Sequence, residues 1–234
     1  MKTIISLTVA IASFAAGMAY ADDSVPFNEG WRGGIGGAYI HINSKADDFS
    51  GQFTPSGLGL EVHSTSTLFL SLSKRVSDHI DLELLGGMPP THDVYAKGPA
   101  QVPFPTRNYD GVKIGSSKQL APTFIVNYSF FDKGTAFRPY FGLGLNYTHF
   151  YDQKTTAAGD NINGGPTKIQ NTDSIGPAGQ IGLRYNFPSR WSLNASLTKA
   201  IVSSHLTATT GGVDRTTTIY FNPLVSVVSL EYAY

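Results

Sequence analysis

Hydrophobic and polar residues in this chain alternate with a period of two over most of its length. In Ile80-Asp81-Leu82-Glu83-Leu84, one parity is apolar and the other acidic. From Ala178 to Phe187, the residues Ile181, Leu183, Tyr185 and Phe187 oppose Gln180, Arg184 and Asn186. From Trp191 to Leu197, the residues Trp191, Leu193, Ala195 and Leu197 oppose Ser192, Asn194 and Ser196. Successive strand side chains point to opposite faces, whereas a helix would scatter these residues around its surface. The pattern predicts eight strands, near 31–42, 60–75, 80–93, 117–131, 137–151, 173–187, 190–206 and 216–233.

The gaps between them alternate in length. Short turns fall at Val76–His79, Asp132–Ala136 and Pro188–Ser189, and long polar links near 43–59, 94–116, 152–172 and 207–215. Tight turns at one end and long loops at the other are the mark of a transmembrane β-barrel. The predicted fold is all-β, an eight-stranded antiparallel transmembrane β-barrel with short periplasmic turns and long extracellular loops. The aromatic residues agree. Trp31, Tyr128, Phe130, Phe137, Tyr185, Phe187, Trp191, Tyr232 and Tyr234 fall at the short-turn ends on the apolar parity, as an interfacial girdle does. Tyr39, Tyr147 and Tyr220 fall nearer the opposite interface.

The N-terminus supplies the compartment. Lys2, an apolar run from Ile4 to Gly17, and Ala19-Tyr20-Ala21 follow the order of a secretory signal. The run is too short to span a bilayer as a helix. Cleavage is expected after Ala21, leaving one domain over 22–234, or 234 − 21 = 213 residues. Cysteine is absent, which excludes a disulfide framework. Seventeen basic and seventeen acidic residues cancel, so nothing draws the chain to nucleic acid. The mean hydropathy of −0.08 resembles a soluble protein, but alternation dilutes a barrel's apolar face in any average.

Inward parity carries the candidate chemistry. Arg32, Arg75, Asp81, Glu83, Arg138, Arg184 and Glu231 all face the lumen toward the periplasmic ends, where burial requires them to pair as an ionic plug. Higher up, the same parity turns apolar with Ile40, Phe69, Leu85, Ile125, Phe150, Val225 and Val227. Leu85, next along from Asp81 and Glu83, is the candidate constriction. Eight strands leave an interior just wide enough for side chains, so a greasy cavity and a solid core both fit this pattern. No enzymatic signature accompanies it. Ser71, Ser73 and Lys74 match S-x-x-K on a strand rather than at a helix start. His41, His63, His79, His92, His149 and His205 lack metal-binding spacing and read as loop or interface residues. No cofactor or metal is expected, and no enzyme.

Several stretches resemble the OmpW family of eight-stranded outer-membrane proteins. These are Arg138-Pro139-Tyr140-Phe141-Gly142-Leu143-Gly144-Leu145-Asn146-Tyr147-Thr148, Leu120-Ala121-Pro122-Thr123, and Leu82-Glu83-Leu84-Leu85 with Pro89 and His92. Ser174 to Gly182, Trp191 with Asn194, and Asn222-Pro223 extend the likeness over nearly all of 30–234. Thr198, mid-strand, departs from it, standing where a large aromatic can occur in the family. The segment Ala96 to Gly111 resembles a longer second outer loop. The resemblance implies an integral outer-membrane channel for passive uptake of small hydrophobic molecules, with Leu85, Ile40, Phe69, Ile125, Thr198 and Val225 about the lumen. A solute stopped by the plug would leave sideways into membrane lipid. Met88-Pro89-Pro90 and Pro122 are the candidate gap, because proline removes ladder donors. Tyr232 and Tyr234 end the last strand as substrates of the outer-membrane assembly machinery do. The alternative is a solid barrel anchor whose extracellular loops form an adhesion or receptor surface.

Overall fold

The computed structural model describes residues 30–52, 54, 57, 59–98, 101–103 and 106–234; the signal segment and its cleavage site lie outside the described residues. In chain order the elements are β1 (Trp31–His41), β2 (Lys45–Ala46), β3 (Ser50–Gly51), β4 (Gly59–Val62), β5 (Thr65–Arg75) and β6 (Ile80–Gly87). Next come β7 (Thr91–Lys97), β8 (Gln101–Pro103), β9 (Thr106–Asn108), β10 (Lys113–Leu120), β11 (Thr123–Ser129) and β12 (Phe137–Thr155). A short helix α1 (Ala157–Asn163) precedes β13 (Thr167–Asn171), β14 (Ser174–Asn186), β15 (Trp191–Ala200), β16 (Ser203–Thr210), β17 (Val213–Tyr220) and β18 (Leu224–Ala233).

Eight of these close a ring, β1-β5-β6-β11-β12-β14-β15-β18 and back to β1, with every pairing antiparallel. Closure leaves no strand edge in the bilayer, where an unpaired backbone group would find no partner. Apolar residues such as Leu143, Ile175, Ile181 and Val228 point outward and are exposed, the reverse of a soluble protein. The girdle aromatics pack against one another on this outer surface, with Trp191 on Tyr232 at 4.9 Å and Tyr185 on Phe187 at 5.2 Å between ring centres.

The long polar links carry secondary structure of their own. Five of the eight expected strands break near one level, at 63–64, 88–90, 121–122, 201–202 and 221–223, and then resume. Above the break, β4-β7-β10 pair with the upper half of β12, while β13-β16-β17 with β2 and β3 form a second sheet. The link at 152–172 holds the end of β12, α1 and β13, and 94–116 carries the β8–β9 hairpin. The link at 207–215 is a hairpin turning at Gly211-Gly212, whose positive φ of 57° and 83° suit glycine. These segments are ordered because they bury an apolar face of their own. Leu60, Val62, Phe150, Leu206, Ala208 and Ile219 join one core between the two upper sheets. Arg215 adds a polar tie across the top, donating to the carbonyls of Gln52 and Asn163 at 3.2 and 3.0 Å.

Candidate functional site: a stacked lumen

The lumen has three levels. At the periplasmic level all seven inward charges are buried. Five form a chain of alternating sign. Arg32 Nε lies 3.6 Å from Glu231, Arg184 reaches Glu231 at 2.8 Å and Asp81 at 3.2 Å, and Arg75 reaches Asp81 at 3.4 Å. Two members of the expected plug behave differently. Glu83 makes no ion pair among the described residues; it accepts from Asn127 Nδ2 at 2.6 Å and Gln180 Nε2 at 3.0 Å. Both amide donors converge on Oε2, on a level where no arginine forms an ion pair with it. Arg138 donates to the carbonyls of Asp78 and Phe131, at 2.5 and 3.0 Å, stitching two periplasmic turns together.

The amides continue upward in a network that parity reasoning did not single out. Gln180 also donates to the Tyr140 hydroxyl at 3.3 Å, and that hydroxyl donates to Asn194 Oδ1 at 2.8 Å. Thr198 caps the network by donating to Gln180 Oε1 at 2.8 Å. The sequence signal for Asn127, Gln180 and Asn194 was present, since all three sit on the inward parity of apolar-alternating strands. Ionic plug and amide floor together close the lower lumen.

Above this floor is a cavity with about 110 Å³ of free space, against about 10–15 Å³ for one water. Ile40, Phe69, Leu85, Thr198 and Val225 are among the residues that line it. Ile125 is not. Paired with Glu83 on β6, it is fully buried at the floor level and fills space instead of bounding it. Met88, Pro89 and Pro90 also line the cavity, together with Leu120 and Ala121. Met88 is 61% exposed and Leu120 43% exposed, so this wall reaches the barrel's outer surface. The ladder explains why. Between the pairs Leu85–Thr123 and Thr91–Lys118, the described residues 86–89 and 120–122 share no ladder pairing. A bond from Gln119 N–H to the Pro90 carbonyl at 3.4 Å closes the top of the seam. Pro122 is absent from the cavity wall; its carbonyl accepts from Tyr147 N–H at 3.0 Å and ties it to β12.

A second cavity of about 60 Å³ lies between the upper sheets, lined by Leu60, Val62, Phe150, Ile169, Leu206 and Ile219 among others. Gln119 and Phe221 stand in the walls of both cavities, and Phe221 stacks on Phe150 at 5.0 Å. No charged side chain lines either cavity among the described residues. His92, read from the sequence as a loop or interface residue, instead turns inward from β7 and is 3% exposed. Burial pushes its pKa below the ordinary histidine value, so the ring is neutral at pH 7. Outside the sheets, Asp173 is held below the usual carboxylate range by the Tyr147 hydroxyl and then by His149, at 2.6 and 2.8 Å.

A model of the OmpW family matches residues 34–234. Outer membrane protein W of Vibrio cholerae is 33% identical over 175 residues, covering 75% of this chain and 76% of that relative. The crystal structure of the outer membrane protein OprG from Pseudomonas aeruginosa aligns with a TM-score of 0.76 at 23% identity, covering 87% of this chain and 95% of that one. The solid-state NMR structure of outer membrane protein AlkL in lipid bilayers aligns with a TM-score of 0.65 at 18% identity, covering 92% and 95%. At these identities the two solved structures bear on the fold alone.

Proposed function

This chain belongs to the OmpW family and is an integral outer-membrane β-barrel, and from that premise we propose that it is a passive channel for small hydrophobic molecules. The observation that carries the reading is the lower cavity. It is apolar, closed below by buried charge and amides, and bounded on one side by residues that face the lipid. A solute entering from the extracellular side reaches a floor it cannot cross, because apolar matter gains nothing from displacing buried ion pairs and amide hydrogen bonds. The seam between 86–89 and 120–122 is then its exit, leading straight into the membrane. This reading accounts for the apolar walls better than a solid anchor does, since an anchor has no use for free space bounded by lipid-facing residues. Tyr232 and Tyr234 end β18 against β1, where Tyr234 N–H donates to Trp31 O at 3.0 Å; we assign this closing strand to recognition by the assembly machinery.

Leu85 tests the channel. It ends the run of inward side chains on β6 and borders both the floor and the seam. Leu85→Asp should leave a folded barrel, because the cavity can admit water to the new carboxylate. It should reduce uptake of a hydrophobic solute by roughly tenfold or more, equivalent to about 1.4 kcal/mol. Leu85→Ala should keep uptake and cost no more than the low end of the roughly 2–5 kcal/mol seen for buried leucine. Uptake by cells carrying each variant, beside heat-shift gels for folding, decides it. Normal uptake through a folded Leu85→Asp barrel would remove the lower cavity from any pathway.

A further inference from the structure

Of the two residues that wall both cavities, Gln119 is the polar one, and it is paired with His92 in the wall of the upper cavity. His92 on β7 and Gln119 on β10 are 3% and 7% exposed, and Gln119 Nε2 lies 2.7 Å from His92 Nε2. A third atom fixes which way this contact runs. His92 Nδ1 lies 3.2 Å from the carbonyl oxygen of His63, which can only accept. Nδ1 therefore carries the proton, and Nε2 of the neutral ring presents a lone pair. Gln119 must then donate its amide N–H to His92, which sets the amide's orientation. Its Oε1 is left as an acceptor, with no hydrogen bond among the described residues, in a side chain that walls both cavities. Oε1 is open to the cavity space rather than sealed in protein, so its partner has to come from whatever occupies the cavities.

We propose that Gln119, oriented by His92, is a binding subsite for the hydroxyl of an uncharged apolar alcohol or phenol in transit between the two cavities. The proposal rests on the channel reading above and gives it a substrate class. A hydroxyl donates to Oε1 while its hydrocarbon body lies in one of the apolar chambers on either side. An alkane satisfies nothing at Gln119. A ketone lacks the donor that Oε1 requires. A carboxylate meets two chambers with no cation in their walls among the described residues, so it is disfavoured. His92 is a positioning residue here, since it acts through the amide it holds.

The probes are labelled 1-decanol, 2-decanone and decane, presented to cells carrying the full-length protein or Gln119→Leu. Wild type should favour the alcohol over the alkane, and Gln119→Leu should reduce that ratio about fivefold, the scale of one ordinary hydrogen bond. An unchanged ratio in a folded Gln119→Leu barrel overturns the subsite while decane uptake upholds the channel. If wild type takes up none of the three, the channel reading falls and the subsite with it. A second measurement needs no variant. In the unmodified barrel in lipid bilayers, decanol should shift the Gln119 side-chain amide resonances and decane should not; equal shifts, or none, would overturn the assignment.

Discussion

Replacing Asp81 with Asn should strip the barrel of most of its resistance to denaturation. Asp81 is buried and receives two arginines, Arg75 at 3.4 Å and Arg184 at 3.2 Å. Arg184 retains Glu231 after the change, but Arg75 has no second ion pair among the described residues. The buried set moves from four cations and three anions, a net of 4 − 3 = +1, to 4 − 2 = +2. Stranding one member of a buried pair typically costs about 3–5 kcal/mol, because the remaining charge is neither solvated nor compensated. The isostere keeps the shape, so packing loss does not confuse the outcome. The double variant Arg75→Gln with Asp81→Asn removes the stranded cation and should recover most of the loss. Urea midpoints of the refolded barrel for the two single variants and the double give the coupling directly. A midpoint for Asp81→Asn equal to wild type, or a double variant weaker than Asp81→Asn, would show that the plug is not held by this pair.

A single methyl group added to β12 should be as damaging. Gly144 faces inward, and a Cβ there would sit 1.8 Å from the Phe124 carbonyl oxygen and 2.8 Å from Ile125 Cα. Both obstacles are backbone of the neighbouring strand, so no side chain can move aside. The contact exists because an eight-stranded barrel bends its strands tightly, and the inner surface has less room than the outer. Gly144→Ala should therefore cost at least the upper part of the about 1–3 kcal/mol usual for overpacking. On the outer surface, Gly37→Ala adds a methyl with nothing within 4 Å and should be close to neutral. Heat-shift gels and urea midpoints of the two alanine variants form the comparison, and equal stability would refute the crowding argument.

Much of the lower barrel was legible because the bilayer imposes a strict rule on each strand. Asp81 and Glu83 between Ile80, Leu82 and Leu84 can face only inward, and the short turn before them, Val76–His79, fixes which end is periplasmic. Partner choice was not legible. Glu83 meets Gln180, 97 residues away, only after the ring has closed, and nothing local in either strand records that contact. Ile125 shared the parity of the cavity residues but sits two register pairs lower than Leu85, a difference that alternation cannot express. The upper sheets were hidden for another reason. Their strands are short, and their polar outer faces read like loop sequence, although Ile169, Leu206 and Ile219 already marked an inward side. His92 was discounted for lacking a metal spacing, when its neighbours Pro89 and Pro90 marked the seam that it stands above.

The common level at which five strands break also divides the molecule's backbone into two hydrogen-bonded systems. Below it every ladder belongs to the closed ring. Above it the two sheets have their own ladders, and the uninterrupted nineteen residues of β12 are the strand that belongs to both. Opening the upper sheets thus breaks no ladder of the ring, so local unfolding can begin there at a free energy far below that of the whole protein. Amide deuteration should divide the chain accordingly. Leu206, Thr217 and their neighbours should exchange early and together, and Leu197, Val228 and Leu230 only when the ring itself opens. Along β12 that boundary should be crossed within a single strand, near Tyr147 to His149, where its partners change from β11 to β10.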